Sequence, residues 1–276
     1  MSIKSNIPSL SAQRSLNKSQ NSLQTSLSKL SSGLRIRSAA DDAAGLAISQ
    51  KMGAQIRSIA QAERNANDGI SAIQTADGAL NEIHGIMDRL RELSVQSANG
   101  TYTNADRTFL NDEFNALVSE VDRIVDVTEF NGIKLLDGTT TNVNFQVGIN
   151  KTSNDILTVS LASMGASNLG GATKLSALSV SSVTKAQNAI SMIDDAISDI
   201  STQRSKLGAT SNRLNVSVSN LASYRENLSA ANSQIRDVDI AQETANMTRN
   251  NILMQAGVSV LAQANQMPSI ALGLIG

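Results

Sequence analysis

From Val183 to Ile235 one register of apolar positions, spaced alternately by three and four residues, holds without a slip. It runs Val183, Ala186, Ile190, Ile193, Ile197, Ile200, Arg204, Leu207, Ser211, Leu214, Val218, Leu221, Arg225, Leu228, Asn232 and Ile235; twelve of these sixteen are apolar. That spacing keeps one seam on one side of an α-helix. No proline interrupts it, and Gly208 is its single glycine, a cost of roughly 1 kcal/mol relative to alanine. At the α-helical rise such a helix spans about 80 Å, whereas helices of compact domains average about 11–12 residues. The pattern predicts a rod that needs a partner along its whole length.

Partners are available on both sides. Ala43 to Asn99 repeats a helical period with Ile56, Ile59, Ala66, Ile70, Ile73, Leu80, Met87 and Leu90 on one broad face. Gly53, Gly69, Gly78 and Gly85 lie inside it, read either as positions tolerated by a well-packed rod or as sites of close backbone approach. Asn99-Gly100 stops that helix, and a shorter one follows from about Asn104 to Val127 with Phe114, Leu117, Val121, Ile124 and Val125 as its stripe. Phe130-Asn131-Gly132-Ile133 reads as a turn. The period changes to two at Val143, Phe145, Val147 and again at Leu157, Val159, Leu161, which predicts a β-hairpin over about 142–161. Residues 162–182, rich in Gly, Ser, Thr and Ala, read as a short surface link into the long helix.

The two ends mirror each other. A thin stripe of Ile3, Ile7, Leu10, Leu16, Leu23, Leu27, Leu30 and Leu34 opens the chain. Ile240, Met247, Met254 and Leu261, seven apart, close it with Val258 beside them. Ser and Asn dominate the surroundings and form helices poorly, so each end is marginal in water without a partner. They form the two halves of one helical hairpin, with Gly33 ending the first helix and Ser38 or Asp41 starting the next. The fold class is therefore mainly α: long antiparallel helical rods in a coiled-coil-like bundle, with a small β-hairpin region between the N- and C-terminal halves. Two domains are expected, residues 1–40 with 236–276, and residues 41–235.

Composition narrows the chemistry. The 276 residues are 41% hydrophobic but only 2% aromatic, which suits layered Leu, Ile, Val and Ala packing. A net charge of −1, without long runs of one sign, offers no field for nucleic acid or anionic membranes. The absence of Cys excludes disulfides and thiolate chemistry. The N-terminus lacks the apolar core of a secretory signal, and no window reaches the length of a membrane span. His84 is the single histidine, so no His-based triad with a second His base and no multi-His metal cluster can form. Asp41-Asp42 and Asp194-Asp195 read as capped or solvated helix features, because adjacent helical residues point different ways. No enzyme, cofactor or metal site is expected. Met247 and Met254 read as packing residues.

Four stretches carry a resemblance: LSSGLRIRSAADDAAGLAI (30–48), RLRELSVQSAN (89–99), EFNGIKLL (129–136) and ANMTRNNILMQAGVSVLAQANQMP (245–268). In this order, covering nearly the whole chain, they resemble bacterial flagellin. Ala40 stands where that family usually has Lys, Arg37 where Asn is common, and Asp88 where Gln is common. The resemblance implies a filament subunit for motility whose paired terminal helices form an inner tube and whose long-helix bundle forms the next shell. Larger members insert outer domains where only residues 162–182 stand here. It also implies export by the flagellar type III route, an export chaperone covering about 235–276, and an extracellular flagellar location. Filament cap and hook-junction proteins are the expected partners beside the chain itself. The polymerisation core is expected at Leu16, Leu23, Leu27, Leu30, Leu34, Ile240, Met247, Met254, Val258 and Leu261. The family's Toll-like receptor 5 site maps to Arg89 and Leu93, with Glu113 and Val218; the alternative is that Arg89 and Leu93 mainly face a neighbouring subunit. Two other readings are a hook–filament junction protein and a secreted ligand acting on a host innate immune receptor.

Overall fold

A computed structural model describes residues 5–171 and 173–273. Ile3 and the last three residues of the expected chaperone segment lie outside them. Among the described residues five α-helices and four short strands follow one another: α1 (Ile7–Ser32), α2 (Ala43–Ala98), α3 (Asn104–Val127), β1 (Glu129–Phe130), β2 (Ile133–Lys134), β3 (Asn142–Gln146), β4 (Ile156–Ser160), α4 (Val183–Arg236) and α5 (Ile240–Gly273). The expected long helices, the shorter third helix and the hairpin are all present. The chain divides into two compact units, residues 1–56 with 226–276, and residues 57–225.

In the first unit α1 and α5 lie side by side and antiparallel. The Asn6 side chain accepts from the Ser9 amide at 3.2 Å, capping α1, and donates across to the Ala264 carbonyl at 2.8 Å. Gly257 lies against Leu16, and Leu34 bridges Asp237. Gly33 ends α1 at φ 70°, a left-handed conformation that glycine adopts without a steric penalty. The next residues join the two chain reversals. The Arg35 amide donates to the Arg236 carbonyl at 2.7 Å, and its guanidinium to the Ile235 carbonyl at 2.6 Å. Val238 donates to Gly33 at 3.0 Å. Helix α2 starts at Ala43 as expected, with its capping side chain one residue past Asp41. Asp42 accepts the Gly45 amide at 2.9 Å, while Asp41 turns back to the amides of Arg37 and Ser38. Those backbone donors, Ser38 first, hold the Asp41 carboxyl below its ordinary range. Ile36 is buried beneath Gly45, where a Cβ would overlap its side chain.

The second unit holds the core. Leu80, Ile83, Met87, Leu90 and Leu93 of α2 join Phe114, Val121 and Val125 of α3 and Ile193, Ile200, Leu207 and Leu214 of α4. Of the α4 seam, Ala186, Ile193, Ile200, Leu207 and Leu214 are buried, Ile190, Ile197, Arg204 and Ser211 are half-buried beside the buried Ala189, Ala196 and Gln203, and the seam thins beyond Leu214. Phe130 to Ile133, expected as a turn, is a tight β1–β2 hairpin, with Asn131 at φ 50° and Gly132 at φ 78° as the two positive-φ residues its turn requires. Strands β3 and β4 pair antiparallel, Asn144 opposite Thr158, and Gln203 of α4 donates to the Ser160 carbonyl at 2.9 Å.

Residues 162–182 correct the expectation of a surface link. Met164, Ala166, Leu169, Leu175 and Val180 are all buried. The Ala166 amide donates to Asp122 at 2.7 Å and the Ser176 amide to the Ala166 carbonyl at 3.0 Å. Single apolar residues scattered among Gly and Ser lack a period, so their burial is invisible until the loop folds onto the core.

Candidate assembly surfaces

Among the described residues of the first unit, Ile36 and Ala264 are the only buried hydrophobic side chains. The rest of its apolar material is half-buried or exposed. Leu16, Leu23, Leu30, Leu34, Met247, Met254 and Leu261 are half-buried. Leu27, Ile240 and Val258 are instead exposed, as are Ile7, Leu10, Ile252, Leu253, Val260 and Met267, at 44% to 67% of their full area. The expected polymerisation core therefore divides into a lining within the hairpin and an outward set. Ile252, Leu253, Val260 and Met267 lie off the repeat through Met247 and Met254 on which the sequence expectation rests. Leu253, Val260 and Met267 are also seven apart, a second stripe that periodicity could have found. A polar groove of about 650 Å³ also lies on this unit, lined by Arg14, Lys18, Lys29 and Arg249 with a single carboxylate, Glu243.

The expected receptor patch is brought together only in part. Arg89 donates to Glu113 at 2.8 Å and 3.0 Å and to Glu92 at 3.0 Å, on an open surface. These carboxylates, Glu113 first, hold the guanidinium's pKa above its ordinary value. Leu93 is corrected: it is wholly buried in the core, because the α2 face that carries Leu80, Ile83, Met87 and Leu90 continues through it. Val218 is half-buried on α4. Leu214 packs on Gly69, so Val218, one turn further on, lies about 35 Å along α2 from Arg89 at 1.5 Å per residue and does not share its surface.

Arg107 was also missed. It is a buried cation that caps the end of α2, donating to the carbonyls of Ser97 at 2.9 Å and Asn99 at 3.0 Å. Helix C-termini leave carbonyls unsatisfied, and the arginine ten residues on answers them. Thr103 and Asp106 cap α3 reciprocally. The Thr103 hydroxyl and amide, in that order, hold the Asp106 carboxyl below its ordinary range. Among the described residues no cluster of three or more His, Cys, Asp or Glu could hold a metal ion, and no helix is long and apolar enough to cross a membrane.

Residues 3–141 match the family model of the bacterial flagellin N-terminal helical region, and residues 190–275 that of the C-terminal helical region. The chain is 50% identical over 275 residues to a flagellin of Halalkalibacterium halodurans and 45% identical over 305 residues to one of Bacillus subtilis, covering 100% of both partners in each case. It is 43% identical over 288 residues to the flagellar filament 33 kDa core protein of Treponema phagedenis, again over 100% of both chains. A solved structure described as a flagellar hook-associated protein of Vibrio parahaemolyticus shares the fold, with a TM-score of 0.61 at 14% identity, covering 71% of this chain and 100% of its own. The antiparallel terminal helices, the long-helix core and these full-length matches place the chain in the bacterial flagellin family, the structural subunits of the flagellar filament.

Proposed function

We propose that this filament subunit polymerises through its terminal helices and that the ends acquire their final order only on assembly. The observation that carries this is the imbalance between the two units. The first has almost no enclosed apolar side chain, whereas the second has a continuous core. Ordering backbone costs about 1–2 kcal/mol per residue, and burying a Leu, Ile or Met returns roughly 1.5–3 kcal/mol. The outward set of Leu253, Val260, Ile252 and Val258 supplies that return only when other copies cover it. A head-to-tail, open interface fits indefinite growth.

The finer partners follow from the same reading: export by the flagellar type III route, a chaperone over about 235–276 that shields the same stripe, and cap and junction proteins at the filament ends. The filament is the extracellular form. A Toll-like receptor 5 contact would rest on Arg89 and Glu113, which are open, without Leu93. The experiment is limited proteolysis of the purified full chain as monomer and as filament, with cleavage sites mapped by mass spectrometry. The termini are cut first in the monomer and are protected in the filament. Equal protection in both states removes the coupling, and continued polymerisation of Leu253→Ser/Val260→Ser removes the outward stripe as its surface.

A further inference from the structure

A seam of apolar residues at three–four spacing does not define its own register: a slide of seven residues again sets apolar positions against apolar positions. Two polar interruptions of the α4 seam answer this in the unit of residues 57–225. Arg204 donates to Asp77 at 2.8 Å and Arg225 to Glu63 at 2.7 Å. The native register is given independently by Leu214 against Gly69 and by Arg91, which donates to Asp194 at 2.7 Å. That register sets Arg204 level with about Leu80 and Arg225 level with about Ile59. Arg204 therefore reaches toward the start of α2, and Arg225 reaches the opposite way. A slide that relaxes one reach extends the other.

We propose that Arg204 and Arg225 are opposed struts that select the antiparallel register of α2 and α4, rather than sources of stability. Slipped by seven residues, Arg204 meets Ile70 in one direction and His84 in the other, and in the second case Arg225 meets Ile70. Each slipped state strands a guanidinium without a carboxylate, the device by which a polar seam residue specifies register at a cost in stability. The cost is visible at Glu63. Its side chain is 13% exposed, one oxygen is held by Arg225, and the other is buried without a hydrogen-bond partner. Arg204, Asp77 and Arg225 are a third to nearly half exposed, and ion pairs of that exposure contribute only about 0–1 kcal/mol, so these pairs are poorly explained as stabilisers.

The full chain contains no Cys, so an engineered pair reports alone. Ala66→Cys with Val218→Cys reads the native register; Ala66→Cys with Ser211→Cys, and Ile73→Cys with Val218→Cys, read the two slips. Each pair is oxidised in the parent background and in Arg204→Met/Arg225→Met combined with Asp77→Leu/Glu63→Met, so that no carboxylate is left unpaired, with circular dichroism recording the fold. The proposal expects the native disulfide to dominate in the parent. The arginine-free chain should melt no lower than the parent, and its slipped disulfides should rise at least tenfold, equivalent to about 1.4 kcal/mol. Asp77→Asn/Glu63→Gln, which keeps the shapes and removes the charges, should release the same slipped products, and it serves if the methionine variant does not fold. Slipped disulfides no more abundant than in the parent, in whichever variant folds, overturn the proposal. So does a large fall in melting temperature with the register unchanged.

Discussion

Three glycines of α2 can be separated by one kind of substitution. Alanine in place of glycine in a helix interior gains about 0.8–1.0 kcal/mol. At Gly78 and Gly85 the added methyl meets nothing within 4 Å, so each change realises that gain. At a few degrees per kcal/mol, roughly 2–4 °C for a unit of 150–250 residues, each raises the monomer's melting temperature by about that much. At Gly69 the same methyl lies 3.1 Å from two ring carbons of Phe145 and 3.2 Å from Leu214 Cδ1. Leu214 is fully buried and cannot withdraw, whereas Phe145, opposite Leu157 in β3, is half-buried, so the leucine contact sets the cost. Overpacking of this kind costs about 1–3 kcal/mol. The helix term is common to all three sites, so the difference between Gly69→Ala and Gly78→Ala isolates the packing term. It places the Gly69 variant below the Gly78 variant by roughly 2–12 °C. Differential scanning calorimetry on monomers, with urea midpoints as a check, measures it. If Gly69→Ala melts as high as Gly78→Ala, the close approach of α2, β3 and α4 at that point is wrong. Polymerisation of the same variants addresses the other side of the question. Loss of assembly by a stabilised Gly78→Ala or Gly85→Ala monomer would assign those glycines to backbone approach between subunits.

Three further outcomes follow from the site geometry. Leu93→Ala should destabilise the monomer by about 2–5 kcal/mol as a core cavity, whereas Arg89→Gln, which removes an exposed ion pair, should move stability by no more than about 1 kcal/mol; a receptor-reporter assay on both folded chains separates lost packing from lost contact. Arg107→Met should cost on the order of 1–3 kcal/mol for each helix-end carbonyl left without a donor and water, read as a lower urea midpoint. The Asp106 carboxyl is held below its ordinary range by Thr103, so its contribution is complete above the unfolded carboxylate pKa and is lost as pH falls through the lower native value. Asp106→Asn should therefore flatten the acid limb of the stability–pH curve, and an unchanged limb would count against the capping interaction.

Much of the fold was legible because long helices announce themselves by period. The α4 register, the bounds of α3 and the β3–β4 hairpin all rest on local spacing. The Asn131-Gly132 turn is equally local, since its positive φ angles select those residue types. The loop over 162–182 was misread because its buried residues have no period, and the Asp42 cap was misplaced because three acceptors, Ser38, Asp41 and Asp42, compete within five residues. For the candidate surfaces the limits were different. Arg89 and Glu113 were found by resemblance and lie together, but a motif treats Leu93 as one more surface letter. Only the position of that helix face against α3 and α4 decides that Leu93 belongs to the core.

By itself the sequence determined the mainly helical class, the pairing of two weak ends and the absence of thiol chemistry, because residue type and spacing are local quantities. Tertiary structure alone decided which members of an apolar stripe are enclosed and which face outward. Leu16 and Met254 are half-buried within the terminal hairpin, while Leu27, Val258 and Leu253 are left open. Period places residues on a helix face, but burial depends on what second surface arrives, and we propose that for the outward stripe that surface is supplied by other copies of the chain.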